Sequence, residues 1–225
     1  MALNYKNIPG CYSNGFTLIE LVITMLISSM VIGAIYTTFT KQQGIYTAQD
    51  KVVEVQQDLR AGISIMASEL RMAGYDPSES GLYGVTAASA GTFAFTADVN
   101  DDGGAPGTGE SYQYELYDSD GDGTNDALRR TPAGSAVANN IYNLEFYYQL
   151  SDGVTWTTSP TTSQLNLIRA VKVSILARAG RTDPNFVDSK TYTTASGATW
   201  GPFNDNYRRR FLVTTVKCRN LGLWN

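Results

Sequence analysis

At 225 residues, 43% of them hydrophobic and 17% charged, the chain has room for one membrane helix and one globular domain, and is too apolar to be a disordered polymer. A net charge of −4, a pI of about 4.8 and the lack of any basic run apart from Arg208 to Arg210 argue against a nucleic-acid partner. Histidine is absent, which removes the commonest general base and transition-metal ligand, so most hydrolase and zinc readings fall away and no catalytic residue is assigned.

Residues Met1 to Gly15 are short and polar, with Lys6 as the only charged side chain. They lack the apolar core of a secretory signal peptide. Ile8, Pro9, Gly10 and Cys11 have the outline of a lipoprotein site, but no hydrophobic stretch precedes the cysteine. From Leu21 to Thr40 there is no charge and no proline, and about 20 such residues cross a bilayer core as a helix. Glu20 stands at the lip of that run, where a carboxylate is costly unless it is paired or stays near the interface. The order is inverted relative to an ordinary signal, since the apolar segment follows the polar leader and would survive its removal.

Gly15, Phe16, Thr17, Leu18, Ile19 and Glu20 resemble the class III signal of type IV prepilins and type II secretion pseudopilins. That resemblance implies cleavage between Gly15 and Phe16 by a membrane prepilin peptidase, followed by N-methylation of the new Phe16 amine. It also gives Glu20 a partner, the Phe16 ammonium of an adjacent subunit. The plain alternative is an N-terminal anchor with a chance glycine. A cut after Gly15 removes Cys11 and leaves Cys218 alone, so no internal disulfide forms, and Cys218 is expected to be a buried, inert thiol.

Beyond the apolar run, Ile45, Ala48, Val52, Val55, Leu59, Ile63, Met66, Leu70 and Ala73 recur at steps of three and four. They form one face of a continuing helix that packs on the head. The helix is expected to end near Gly74, with Asp76 and Pro77 preventing its resumption. At 1.5 Å per residue its length comes to roughly 85 Å. Gly33, Gly44 and Gly62 are places where it bends or packs closely.

After Pro77 the composition shifts to Gly, Ser, Thr, Asp and Tyr and the helical period is lost. Strands are expected at Thr92 to Thr96, Tyr112 to Tyr117, Ile141 to Leu150, Ile168 to Ala177 and Phe211 to Cys218. In the fourth, Ala170, Lys172 and Ser174 alternate with Val171, Val173 and Ile175, the pattern of a half-buried strand. Trp156, Trp200 and Trp224 fall in or beside loops. The fold class is therefore α+β, a long N-terminal helix packed on an antiparallel sheet. The expected layout is a leader at 1–15, a transmembrane helix half at 16–40, an amphipathic half at 41–75 and a mainly β head at 76–225.

Two acidic turns flank the strand at Tyr112 to Tyr117 and follow the opening of an EF-hand-type loop, D-x-[DN]-x-[DN]-G. In the second, Asp118, Asp120, Asp122, Gly123 and Asp126 occupy positions 1, 3, 5, 6 and 9, with the Thr124 carbonyl at 7 and Arg129 where the bidentate acid belongs. In the first, the weaker match, Asp98, Asn100, Asp102 and Gly103 fit, with no acid at 9 or 12. Oxygen donors without sulfur or imidazole point to Ca²⁺. The alternative is that Asp and Gly only make turns between strands. Arg129, Arg130 and Arg208 to Arg210 are taken as solvated charge.

Leu70 to Pro77, LRMAGYDP, and Tyr207 to Leu221, YRRRFLVTTVKCRNL, resemble PilW-type minor pilins. The resemblance implies a structural protein of the inner membrane, single-pass with a periplasmic head and later carried into the pilus at the cell surface. It would prime pilus assembly and be incorporated in the fibre or at its tip. Its partners would be other minor pilins and the major pilin, through the N-terminal helix, together with the prepilin peptidase and the inner-membrane assembly machinery. Two alternatives stay open: a minor pseudopilin of a type II secretion system, and a calcium-dependent tip adhesin.

Overall fold

The computed structural model describes residues 15–132 and 136–223, apart from the side chains of residues 47, 48, 51 and 54. Residues 1–14 of the expected 1–15 leader, with Cys11, and Trp224 lie outside the described residues. Two compact units divide the chain, Met1–Thr47 and Ala48–Asn225.

Helix α1 spans Leu18–Met72, and its C-terminal stop is set by backbone chemistry. Gly74 takes φ +71°, and a Cβ there would stand 2.5 Å from Leu221 Cδ2, so both conformation and space require glycine. One of the last helical carbonyls, that of Arg71, accepts from Asn220 Nδ2 at 3.0 Å, which satisfies an otherwise orphaned acceptor.

Within the second unit the periodic face of α1 is the floor of the core. Val55, Leu59, Met66, Leu70 and Ala73 are buried and Ile63 packs against them, whereas Ile45, in the first unit, is exposed. Gly62 is where close packing is needed: a Cβ there would meet the Cβ of Ala138 at 2.6 Å. A Cβ at Gly33 or Gly44 would meet nothing within 4 Å among the described residues.

The head holds β1 (Val85–Ala88), β2 (Thr92–Thr96), β3 (Ser111–Tyr117), β4 (Ala127–Thr131), β5 (Ala136–Asn139), β6 (Ile141–Leu150) and β7 (Trp156–Thr157). After a 3₁₀ turn at Thr162–Leu167 come β8 (Ile168–Arg178), β9 (Tyr192–Thr193), β10 (Thr199–Trp200) and β11 (Arg209–Lys217). A five-stranded meander runs β1-β2-β3-β4-β5, a four-stranded sheet runs β11-β8-β6-β7, and β9 and β10 make a separate ribbon. The pairings of the named strands are antiparallel. The fold is thus the long helix with antiparallel sheets that the sequence implies, with two sheets and a ribbon in place of one sheet.

Aromatic residues on facing strands join the two sheets. Phe93 lies 5.6 Å from Phe95, 5.9 Å from Phe146 and 5.4 Å from Tyr148, centroid to centroid, the range of favourable ring contacts. Tyr148 remains in the core because its hydroxyl reaches the carbonyls of Ser89 and Thr92 at 2.8 and 2.9 Å. Cys218 is buried and free, and burial pushes its thiol up to about 12, so it packs as a small apolar group.

Three readings from the sequence change. Strand β8 is not half-buried at its centre, because Ser174, Leu176 and Ala177 are as buried as Val173 and Ile175. The segment around Thr194 covers that second face: Ala195 N–H donates to Ser174 Oγ at 2.9 Å, and Thr194 Oγ1 donates to Glu145 on neighbouring β6 at 3.0 Å. Trp156 and Trp200 lie in short strands, and Trp156 sits under Lys172 Nζ at 4.1 Å.

The basic residues are the third correction. Arg129 pairs with Glu115 across the β3–β4 ladder. Arg130 reaches Glu69 of α1 at 2.8 Å, and Tyr114 donates to the same carboxylate. Arg208 pairs with Asp183 at 2.8 Å. Arg209 has a wholly buried side chain, bound to Asp188 at 3.0 Å and to Asp205 at 2.6 Å, with its guanidinium 4.0 Å from the centroid of the Phe203 ring. Only Arg210 of the triplet is exposed.

Arg209→Met should lower stability by about 3–5 kcal/mol, because it leaves the Asp188 carboxylate buried without its cation. The Arg209 hydrogen bond holds Asp205 below the usual carboxylate range. Its contribution is therefore complete above about pH 4 and is lost as the pH falls through the depressed folded value. Thermal unfolding of the full-length protein in detergent checks both points: the melting temperature of the variant falls at pH 7, and its further decline below pH 4 is shallower than in the parent.

Candidate functional sites in helix α1 and the acidic loops

The described part of the first unit is helical from Leu18 onward. Every residue from 15 to 46 is exposed, and Leu18–Tyr46, 29 residues, is long and apolar enough to cross a membrane. Its hydroxyls are matched to that use. Thr24 donates to Leu21 O, Ser29 to Leu26 O, Thr37 and Thr38 to Ala34 O, and Thr40 to Thr37 O, all within 3.0 Å. Polar groups satisfied inside their own helix need no water, which hydrocarbon cannot supply.

The N-terminus of this helix is a reciprocal cap. Thr17 precedes the first helical residue, Leu18; its N–H and Oγ1 donate to Glu20 Oε2 at 2.8 and 2.7 Å, and Glu20 N–H donates back to Thr17 Oγ1 at 3.3 Å. Thr17 and Glu20 therefore form a capping box, a local role the sequence reading did not assign. Each of these bonds to the carboxylate uses Oε2, so Oε1 stays outside the cap. Phe16 is exposed, and a Cβ on Gly15 would meet no described atom within 4 Å. The described fold thus places no steric demand for glycine at position 15.

The acidic loops lie in the head. Asp118, Asp120 and Asp122 bring carboxylate oxygens within 4.8 Å of one another. Their loop satisfies them: Gly121 and Gly123 N–H donate to Asp118 at 2.7 Å each, Asp122 N–H to Asp120 at 3.1 Å and Thr124 N–H to Asp122 at 2.7 Å. The Gly123 N–H, with Gly121 in support, holds the Asp118 carboxyl below its usual range against partial burial. Asp126 stands apart from the trio and accepts from Ser119 N–H at 2.9 Å. Gly121 and Gly123 take φ +80° and +87°, as tight Asx-type turns require.

The other loop, residues 97–110, joins β2 to β3. Asp98, two residues past β2, and Glu110, one residue before β3, are both buried. The pairing of Thr96 with Ser111 and the Ala97 N–H bond to Glu110 O at 2.9 Å set them side by side. With Asp102 they form a second trio whose oxygens lie within 4.8 Å of one another. Asn100 is bound to Asp102 within the turn, 3.0 Å from Nδ2 to Oδ2. Glu110 escaped the sequence reading because, counting Asp98 as position 1, it falls at 13, one past the loop pattern. An acid at the foot of the following strand was the available signal.

Residues 107–220, 114 of 225 and so just over half of the chain, match the family of type IV pilus-assembly protein W. Residues 11–36 match the prokaryotic N-terminal methylation motif. Among solved structures the chain is similar to a type IV-like pilin from Thermus thermophilus, with 18% identity and a TM-score of 0.47, over 74% of this chain and 97% of that one. No curated protein sequence matches.

Thr17→Val should remove the hydroxyl half of the cap and leave the apolar span unchanged. The Glu20 amide is then expected to exchange with solvent about fivefold faster in detergent micelles, as loss of an N-cap implies. Amide exchange by NMR measures it, with the amides of residues 30–35 as the unaffected reference.

Proposed function

Because this chain belongs to the family of type IV pilus-assembly protein W, we propose that it is a minor pilin, a structural and non-catalytic subunit that primes assembly of a type IV pilus and enters the fibre or its tip. In this reading the leader is cut between Gly15 and Phe16 and the new Phe16 amine is methylated. The apolar helix holds the subunit in the inner membrane with its head in the periplasm until assembly draws it out.

One observation carries the reading: a helix end with a methylation motif, an exposed uncharged face and a single carboxylate at its start. Such a helix is complete only in lipid or against other helices. Ser28, Ser29, Gly33 and Ala34 are small and exposed, which suits close helix packing where no hydrophobic effect operates between helices. Glu20 caps its own helix through Oε2, and in this reading Oε1 takes the Phe16 ammonium of a neighbouring subunit. Such a pair offsets the cost of burying the charge only when the partner is present, so recruitment and register follow from one contact. The absence of any steric demand for glycine in the described surroundings of Gly15 fits a requirement imposed by the peptidase.

Gly15→Leu should block processing, seen as a slower-migrating band in membranes; an unchanged band contradicts the cleavage site. Glu20→Gln should leave the protein cut and membrane-bound while surface pili fall sharply in number by electron microscopy. Normal piliation of that variant contradicts the pairing. Counting pili in a deletion strain beside a protein-secretion assay tests the proposal as a whole: lost pili with intact secretion support it, and lost secretion with intact pili assigns the chain to a secretion system.

A further inference from the structure

We infer that Asp98, Asp102 and Glu110 form a calcium site at the base of the β2–β3 hairpin, distinct from the exposed Asp118 loop and independent of how the apolar helix is used.

The first ground is an unmatched buried acceptor. Asp98 and Glu110 are 0% and 1% exposed, and Glu110 Oε1 is buried with no hydrogen-bond partner among the described residues. Its other oxygen is occupied, accepting from Gly107 N–H at 2.6 Å and from Tyr83 at 3.4 Å. A buried carboxylate oxygen left bare is costly. Residues 97–110 contain four acids and no base, and the ion pairs of the described head are made elsewhere, by Arg129, Arg130, Arg208 and Arg209.

The second ground is geometry. Calcium holds oxygens at about 2.3–2.6 Å, so ligands around one ion stand up to about 5 Å apart. The three carboxylates offer oxygens within 4.8 Å of one another. The loop backbone presents Asp98 as a preset ligand: its Oδ1 accepts from Asp101 N–H at 2.7 Å, and its Oδ2 from Gly103 N–H at 3.2 Å. Gly103 takes φ +64° and lies so close to Ser78 that a Cβ would stand 2.8 Å from Ser78 Oγ. An oxygen-only donor set in a turn favours calcium over magnesium, which demands a stricter octahedron and retains its water.

The site also has a mechanical position. Asp98 N–H donates to Tyr75 O at 2.8 Å and Gly74 N–H to Thr96 O at 2.9 Å, so the loop is docked on the C-terminal end of α1. An ion joining Asp98 to Glu110 would lock the two ends of the hairpin loop beside that helix end.

The test uses full-length protein in detergent, freed of metal with chelator and titrated with calcium, magnesium or terbium alone. The melting temperature should rise with calcium concentration, magnesium should bind at least about tenfold more weakly, and calcium should displace terbium excited through tyrosine. Glu110→Gln and Asp102→Asn should each weaken calcium at least about tenfold; Asp102 is exposed, so its variant stays informative where Glu110→Gln disturbs folding. Asp120→Asn should leave the affinity within about twofold. No calcium-dependent shift in the parent, equal binding of magnesium, or a response abolished by Asp120→Asn and untouched by Asp102→Asn overturns the assignment. None of these readouts depends on pilus formation, so failure here is separable from failure of the assembly role.

Discussion

The buried face of α1 between Val55 and Ala73 closes a core that neither sheet closes alone. Met66, Leu70 and Ala73 on one side meet Phe93, Phe95, Tyr114, Leu128 and Phe146 on the other within one continuous apolar cluster, and each large side chain so buried contributes about 1.5–3 kcal/mol. The strands of the five-stranded meander are four to seven residues long, and packing of its apolar face against the helix adds to its stability. Approach at Gly62, where no Cβ fits, and the stop at Gly74 fix where along the helix the head begins and ends.

Charge is used in the head as a fastener between distant segments. Glu69 takes both Tyr114 and Arg130, tying α1 to β3 and β4. Arg209 clamps Asp188 and Asp205, whose backbones also pair with each other. Burial works against the charge of Arg209, yet its hydrogen bonds to both aspartates outweigh it and hold the guanidinium above its ordinary range. Against that background Glu110 Oε1 stands out as a bare carboxylate oxygen, because the unmatched Nε atoms of Arg129 and Arg209 belong to guanidiniums already paired with acids. The same lower end of α1 also meets Leu221 and Asn220, so helix, hairpin loop and C-terminal segment converge there.

The first unit follows the opposite logic. Its residues from 15 to 46 are uniformly exposed, five of its hydroxyls are satisfied by carbonyls of their own helix, and its single acid is engaged in a local cap. Such a segment, exposed along its described length and free of charge from Leu21 to Thr40, is suited to lipid.

Much of this was legible from residue order, because it depends on local rules. The uncharged run after Glu20, the 3.6-residue period to Ala73, the glycine stop and the strands at Thr92, Ile141 and Ile168 each depend on side chains a few positions apart, and so does the leader motif. Interactions between distant residues were not legible. Arg209 looked solvated because Asp188, 21 residues away, reaches it only once the 179–207 segment folds over. Ser174 looked outward until that same segment covered it. Glu110 lay one place outside the loop pattern because a strand pairing, not a turn, brings it to Asp98. Local periodicity writes which face of an element is apolar; which buried charge meets which partner is decided by chain closure over long separations, and only the folded structure contains it.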